Sequence, residues 1–153
     1  MTPEERIAEL GLTLPEVPAP VAAYVPAVVS GRMVYTSGQL PMVKGELLMT
    51  GHLGVDVDIE AAAACARGCA LNAIAAVKSV VGDLSRVVRI VKVCGFVASA
   101  PNFTQQSAVM NGASDLIISI FGESGRHART SIGVAVLPLG APVEVELTVE
   151  VSD

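Results

Sequence analysis

Residues 125–151, GRHARTSIGVAVLPLGAPVEVELTVEV, decide the fold. Val143, Val145, Leu147, Val149 and Val151 alternate with Glu144, Glu146, Thr148 and Glu150. A period of two places the apolar set on one sheet face and the acids on the other. Upstream, Ala128 to Val134 reads as a second apolar strand with Arg129 at its mouth. The LPLGAP turn between them predicts a hairpin with Arg129 and Glu144 on neighbouring strands. Glu146 and Glu150 suit a solvated face. Glu144 is separated from them by the prospect of a fixed cation across from it.

Working outward, two further apolar, β-branched runs, residues 21–29 and 32–37, flank Ser30-Gly31 and predict a second hairpin. It leads into Ser37-Gly38-Gln39-Leu40-Pro41, where a glycine past a strand end permits close backbone approach. Asp58 is the expected N-cap of a long alanine-rich helix, Ile59 to Val81, closed by Gly82. Ala64, Leu71, Ile74, Val77 and Val81 form its predicted apolar stripe. A strand over Leu84 to Ala98 follows. A second helix then opens at Asn102 and buries Phe103, Met110, Ala113, Leu116, Ile117, Ile120 and Phe121. At the N-terminus, Thr2, Pro3 and Glu5 make a capping-box helix start, and residues 14–20 are a proline-rich connector.

The order β-β-α-β-α-β-β predicts one α+β domain over residues 1–153, with residues 1–20 a helix and connector. Two long helices cover one face of a mixed sheet. The uncovered face still carries valines. With 52% hydrophobic and 16% charged residues, burial of that face in a subunit interface is expected.

Composition excludes several classes. The net charge is −5, aromatics are 3%, and no basic tract is present, which argues against nucleic-acid binding. Arg67 and Lys78 interrupt the alanine-rich segment, so no membrane span is expected. No charged-then-apolar leader opens the sequence, and a cytoplasmic protein is expected. Three cysteines, Cys65, Cys69 and Cys94, do not make a disulfide framework; small buried thiols are expected. His52 and His127 lie in unrelated loops, so neither a metal site nor a cofactor is expected.

The sequence holds no GxSxG, phosphate loop, GxGxxG after a strand, or HExxH. Neither histidine has an evident serine and acid partner by position. Arg129 and Glu144 remain. Arginine grips a carboxylate through a bidentate fork, and a nearby carboxylate can orient or deprotonate a water. From the residues alone, the preferred account of these two is an ordinary cross-strand ion pair.

Ala128-Arg129-Thr130-Ser131-Ile132, Leu137 and Val143-Glu144-Val145 resemble the signature of the Rid family of reactive intermediate deaminases, also catalogued as YjgF-type or L-PSP endoribonucleases. Val34-Tyr35-Thr36-Ser37-Gly38-Gln39-Leu40-Pro41 resembles that family's strand ending in SGQ-apolar-P. The resemblance implies a chorismate-mutase-like fold and a homotrimer with pockets between subunits. It implies hydrolysis of 2-imino or 2-enamino acids to 2-keto acids and ammonia. Arg129 would clamp the substrate carboxylate and Glu144 would orient the water. Gly38 and Ser131 would line the pocket, with Ser37 and Thr130 beside them, Tyr24 from its own or a neighbouring subunit, and His127 at the rim. Two other readings stand beside this one: a trimer that binds a small carboxylate without turnover, and a ribonuclease or translation inhibitor. The departures mark a divergent branch. Serine stands at 131, where active deaminases commonly have cysteine. The asparagine often found in the second helix is replaced near Ser107. The 122–128 loop, GESGRHA, is distinctive, and the N-terminal extension is longer than usual.

Overall fold

The computed structural model describes residues 1–17 and 22–153. Helix α1 (Pro3–Glu9) starts as its sequence dictates. The Thr2 hydroxyl accepts from the Glu5 N–H, and the Glu5 carboxylate accepts from the Thr2 N–H. It docks through Glu4, whose carboxylate accepts from the Leu84 N–H at 2.6 Å and from Lys78 Nζ at 3.1 Å. The strands of the first hairpin are β1 (Ala27–Ser30) and β2 (Met33–Thr36). They are shorter than predicted. Pro26 has no N–H to give to a ladder, so β1 starts only after it. Val21, and Pro18 to Pro20 of the connector, lie outside the described residues.

A small ribbon, β3 (Met42–Val43) with β4 (Glu46–Leu47), precedes α2 (Ile59–Val81), whose N-cap is Asp58 and C-cap Gly82. By length and hydropathy α2 could span a bilayer, yet 56% of its most apolar window is buried within the fold. Its buried side consists of small residues, including Ala62, Cys65, Ala66, Cys69, Ala70 and Ala73. Ala64, assigned to the stripe from sequence, is exposed. Leu84–Arg86 form a 3₁₀ turn, because the Asp83 carboxylate accepts from the Ser85 N–H at 2.8 Å. Strand β5 (Val87–Ala98) therefore starts three residues later than predicted. Helix α3 (Gln106–Phe121) also starts late. Asn102 lies in a turn closed by the Phe103 N–H to the Ala100 carbonyl, and Gln105 takes the cap position without a side-chain bond.

The hairpin predicted for residues 125–151 does not form. Strands β6 (Ala128–Val134) and β7 (Val143–Val151) are separated by β5 in the order β1-β2-β7-β5-β6. Strand β5 pairs parallel with β6 and antiparallel with β7. The segment β5-α3-β6 is thus a crossover unit, with the helix carrying the chain back to the sheet edge. The LPLGAP segment passes over the C-terminal end of β5. There the Ala98 N–H donates to the Pro142 carbonyl at 2.9 Å, and the Ser99 N–H to the Val134 carbonyl at 3.0 Å.

Helices α2 and α3 cover one face of this five-stranded mixed sheet. The β7 alternation is as read: all five apolar residues are buried, and Glu144, Glu146, Thr148 and Glu150 lie half-buried on the other face. That open face also carries the exposed apolar side chains of Val28, Tyr35 and Ile132. Cys65 and Cys69 lie on the buried side of α2, and burial pushes the Cys69 thiol well above its usual range. Alkylation by iodoacetamide, read by peptide mass, should therefore modify these two thiols only after denaturation. Rapid labelling of either one in the native protein would contradict the buried placement.

Candidate functional site

Two clusters hold the residues singled out from sequence, and they lie apart within one chain. The first surrounds Glu144 on the central strand β7, where the segment following β2 meets it. Gln39 and Val145 exchange both backbone hydrogen bonds, at 2.8 and 3.0 Å, which draws the end of the β2 segment onto β7. Gly38 is thereby laid against the Glu144 side chain; a Cβ at position 38 would overlap the Glu144 carboxylate. Any larger residue at 38 would displace the Glu144 carboxylate from this position. Ser37 is occupied locally. Its hydroxyl donates to the Val25 carbonyl at 2.6 Å and its N–H to the Pro26 carbonyl at 2.7 Å, tying down the segment that carries Tyr24. Tyr24 itself is 66% exposed.

Among the described residues no cation lies across from Glu144. Its neighbour on β5 is Phe96, and no ion pair among the described residues includes it. Burial, and then the Glu146 charge, raise its carboxyl above the ordinary carboxylate value.

The second cluster lies on β6, the edge strand two positions away from β7. Arg129 pairs with Val93, which pairs in turn with Leu147, and directly opposed residues share a sheet face. Val93 and Leu147 are buried beneath the helices, so Arg129 points to the helix side. Glu144 is three residues from Leu147 and takes the open face. The sequence-based placement of Arg129 and Glu144 on neighbouring strands, and the cross-strand ion pair it allowed, are both overturned by the insertion of β5.

Arg129 Nη1 donates to Asn111 Oδ1 at 2.9 Å and to Ser114 Oγ at 3.1 Å, both on α3. Both hydrogens on Nη1 are thus used. Among the described residues, Nε and Nη2 have no partner, and together they form the side-on fork that fits a carboxylate. His127 lies behind Ser114, with Nε2 2.9 Å from Ser114 Oγ and Nδ1 2.6 Å from the Gly125 carbonyl. Arg129, Ser114 and His127, with Ile118 and Arg126, line an open cavity of about 290 Å³. Ser131 shares the helix-side face of β6. Its hydroxyl is buried with no hydrogen-bond partner among the described residues. Thr130 faces the open side and is exposed. A larger cleft of about 390 Å³ between α1 and the end of α3 contains none of the predicted residues.

Sequence reasoning missed Asn111 and Ser114, and it left His127 without a serine partner. The second helix does carry an asparagine at the arginine; it is Asn111, one turn beyond Ser107. Asn111 and Ser114 are three apart, hence on one helix side. That spacing was visible as two polar residues in an apolar helix. The strand residue they would meet was not. Among the described residues no carboxylate backs the His127 imidazole, and Ser114 Oγ accepts from Arg129, so this serine–histidine pair orients rather than attacks.

A family model described as "YjgF/chorismate mutase-like, putative endoribonuclease" matches residues 4–151. Protein TCP17 of Trypanosoma cruzi is 49% identical over 96% of this chain and 92% of its own length. The crystal structure of Atu1372 from Agrobacterium tumefaciens, a protein of unknown function, superposes with a TM-score of 0.92 at 48% identity, covering 99% of this chain and 94% of that one. More distantly, Escherichia coli TdcF, solved with bound serine, superposes with a TM-score of 0.65 at 25% identity over 90% of this chain and 94% of its own. The two blocks read from sequence, the helix-backed mixed sheet and these likenesses agree: the chain belongs to the Rid/YjgF family, with its chorismate-mutase-like fold.

Proposed function

We propose that this protein hydrolyses 2-imino and 2-enamino acids to 2-keto acids and ammonia, in pockets shared between the subunits of a ring-shaped homotrimer. The observation that carries the reading is the state of Arg129. Its guanidinium is held at Nη1 by Asn111 and Ser114, and its Nε–Nη2 edge is left for a ligand carboxylate. TdcF, a distant relative, holds serine, which bears such a carboxylate.

Arg129 lies on the edge strand β6 and on the helix side, whereas Glu144 lies on the central strand β7 and on the open face, so one copy does not bring them together. A head-to-tail contact can do so. The β6 edge of one copy then meets the Gly38–Glu144 region of the next, and a repeated heterologous contact closes into a ring. Such a ring also covers the apolar open face. In the shared pocket Arg129 fixes the substrate carboxylate and Glu144 orients a water toward the C=N carbon. The amine leaves as ammonia after proton transfer. Gly38 and Ser131 line the pocket beside Ser37 and Thr130, with Tyr24 and His127 at its rim.

The test is ammonia release from freshly generated 2-iminopropanoate, with wild type and Arg129→Ala in parallel and pyruvate binding followed by calorimetry. Acceleration by the wild type, lowered about 100-fold in the variant, supports the reading. Sedimentation should give three times the 15.7 kDa chain mass. Arg129-dependent pyruvate binding without ammonia release would instead make the protein a carboxylate-binding trimer. Neither turnover nor binding would remove the clamp altogether.

A further inference from the structure

The Ser114–His127 pair adds a control over the clamp that nothing in the family signature specifies. Following the protons fixes the direction of each bond. His127 Nδ1 lies 2.6 Å from the Gly125 carbonyl, an atom that only accepts, so Nδ1 carries a hydrogen. In the neutral ring Nε2 then accepts, and it takes the Ser114 hydroxyl proton across 2.9 Å. With its one hydrogen committed there, Ser114 Oγ presents only lone pairs to Arg129 and accepts from Nη1 at 3.1 Å. Asn111 Oδ1 takes the other Nη1 hydrogen. The chain of bonds runs Arg129 to Ser114 to His127 to Gly125, and each step has one direction.

The surroundings support this order. Ser114 is nearly buried, so water does not compete freely for its oxygen. Gly125 is itself buried, since a Cβ there would press on the backbone of Ile117 and Ile118. The carbonyl that orients His127 is therefore anchored to α3, the same helix that carries Ser114 and Asn111.

We infer that Ser114 and His127 are positioning residues. They lock the Arg129 guanidinium in the rotation that turns its Nε–Nη2 edge toward the carboxylate of the substrate. This rests on the clamp reading above. A guanidinium held at both Nη1 hydrogens cannot spin about Cζ–Nε, so less freedom is lost when the carboxylate binds. Removing the Ser114 oxygen leaves the Asn111 bond as the one remaining restraint, loosens that rotation and weakens ground-state binding of the carboxylate; the chemical step, which depends on Glu144, is left alone.

The experiment combines kinetics with a ligand-free measurement. Ser114→Ala and His127→Leu should each raise KM for 2-iminopropanoate about tenfold while kcat stays within about twofold. His127→Gln can offer an amide oxygen to the Ser114 hydroxyl, and it should recover most of the His127→Leu loss. In the protein without ligand, carbon-detected NMR of ¹³C,¹⁵N-arginine should show resolved, slowly exchanging Arg129 Nη signals in the wild type and markedly faster exchange between them in Ser114→Ala, where only the Asn111 bond remains. An Arg129 spectrum and KM unchanged by Ser114→Ala would overturn the inference. A loss confined to kcat would overturn it as well. If the wild type neither turns over imine nor binds pyruvate, the clamp reading fails; the NMR comparison still decides whether Ser114 locks the guanidinium.

Discussion

Glu144→Gln is expected to abolish imine hydrolysis, by roughly 10²–10⁴-fold, while leaving the folded chain slightly more resistant to heat. The loss follows from the role proposed for the carboxylate, since an amide of the same shape neither takes a proton from water nor carries the charge that orients it. The gain follows from its surroundings. Burial and then Glu146 raise its carboxyl above the ordinary value, and no cation among the described residues compensates. A folded-state value raised above the unfolded one contributes stability only at acid pH, and that contribution is lost as pH rises through the folded value. At neutral pH the charged form therefore costs stability, and Gln removes the cost. An increase in Tm of about 1–3 °C at pH 7, fading in acid, is the expected scale for a half-exposed group. In rate profiles the acid limb should fall above the ordinary carboxylate range, and Glu146→Gln should move it to lower pH by removing the like charge.

The same variant tests where the site is assembled. Arg129→Ala and Glu144→Gln should each form inactive rings. In a ring built from both, a copy that keeps Arg129 can meet a neighbour that keeps Glu144. Co-refolded in equal amounts, they should recover roughly a quarter of wild-type activity, because each mixed trimer regains one pocket of three. Zero recovery from well-folded mixtures would mean that the two residues never serve one pocket across subunits.

Gly112→Ala should destabilise the protein by about 3–5 kcal/mol and lower Tm by roughly 10 °C, against the usual sign for this exchange in a helix. Replacing a helical glycine by alanine ordinarily gains about 1 kcal/mol. Here a Cβ at position 112 would overlap the carbonyl oxygen of Ala63 on α2. That obstacle is backbone, so no side chain can rotate away; α3 must shift from α2 as a body. The shift would also move Asn111 and Ser114 off Arg129. Gly68 supplies the control. Its Cβ would meet Leu48 Cδ1 at 3.4 Å, an ordinary contact, and Gly68→Ala should stabilise by about 1 kcal/mol. Thermal melts of the two variants should move in opposite directions. A stabilised Gly112→Ala would show that the helices are not in backbone contact there.

Much of this molecule was legible in the sequence because the decisive interactions are local. The Thr2–Glu5 capping box, the Asp58 start and Gly82 end of α2, and the alternation along β7 each depend on residues a few positions apart. The fold class followed from them, and the Arg129 and Glu144 blocks pointed to the family. Only the tertiary structure decided that β5 lies between β6 and β7, because strand order is a choice among distant backbone edges that a turn sequence alone does not make. It alone placed Arg129 on the helix side and Glu144 on the open face, since the face follows from register with β5. It alone brought Asn111, Ser114 and His127 to the arginine. These contacts join α3 to the edge strand, and no local pattern records the packing of one against the other.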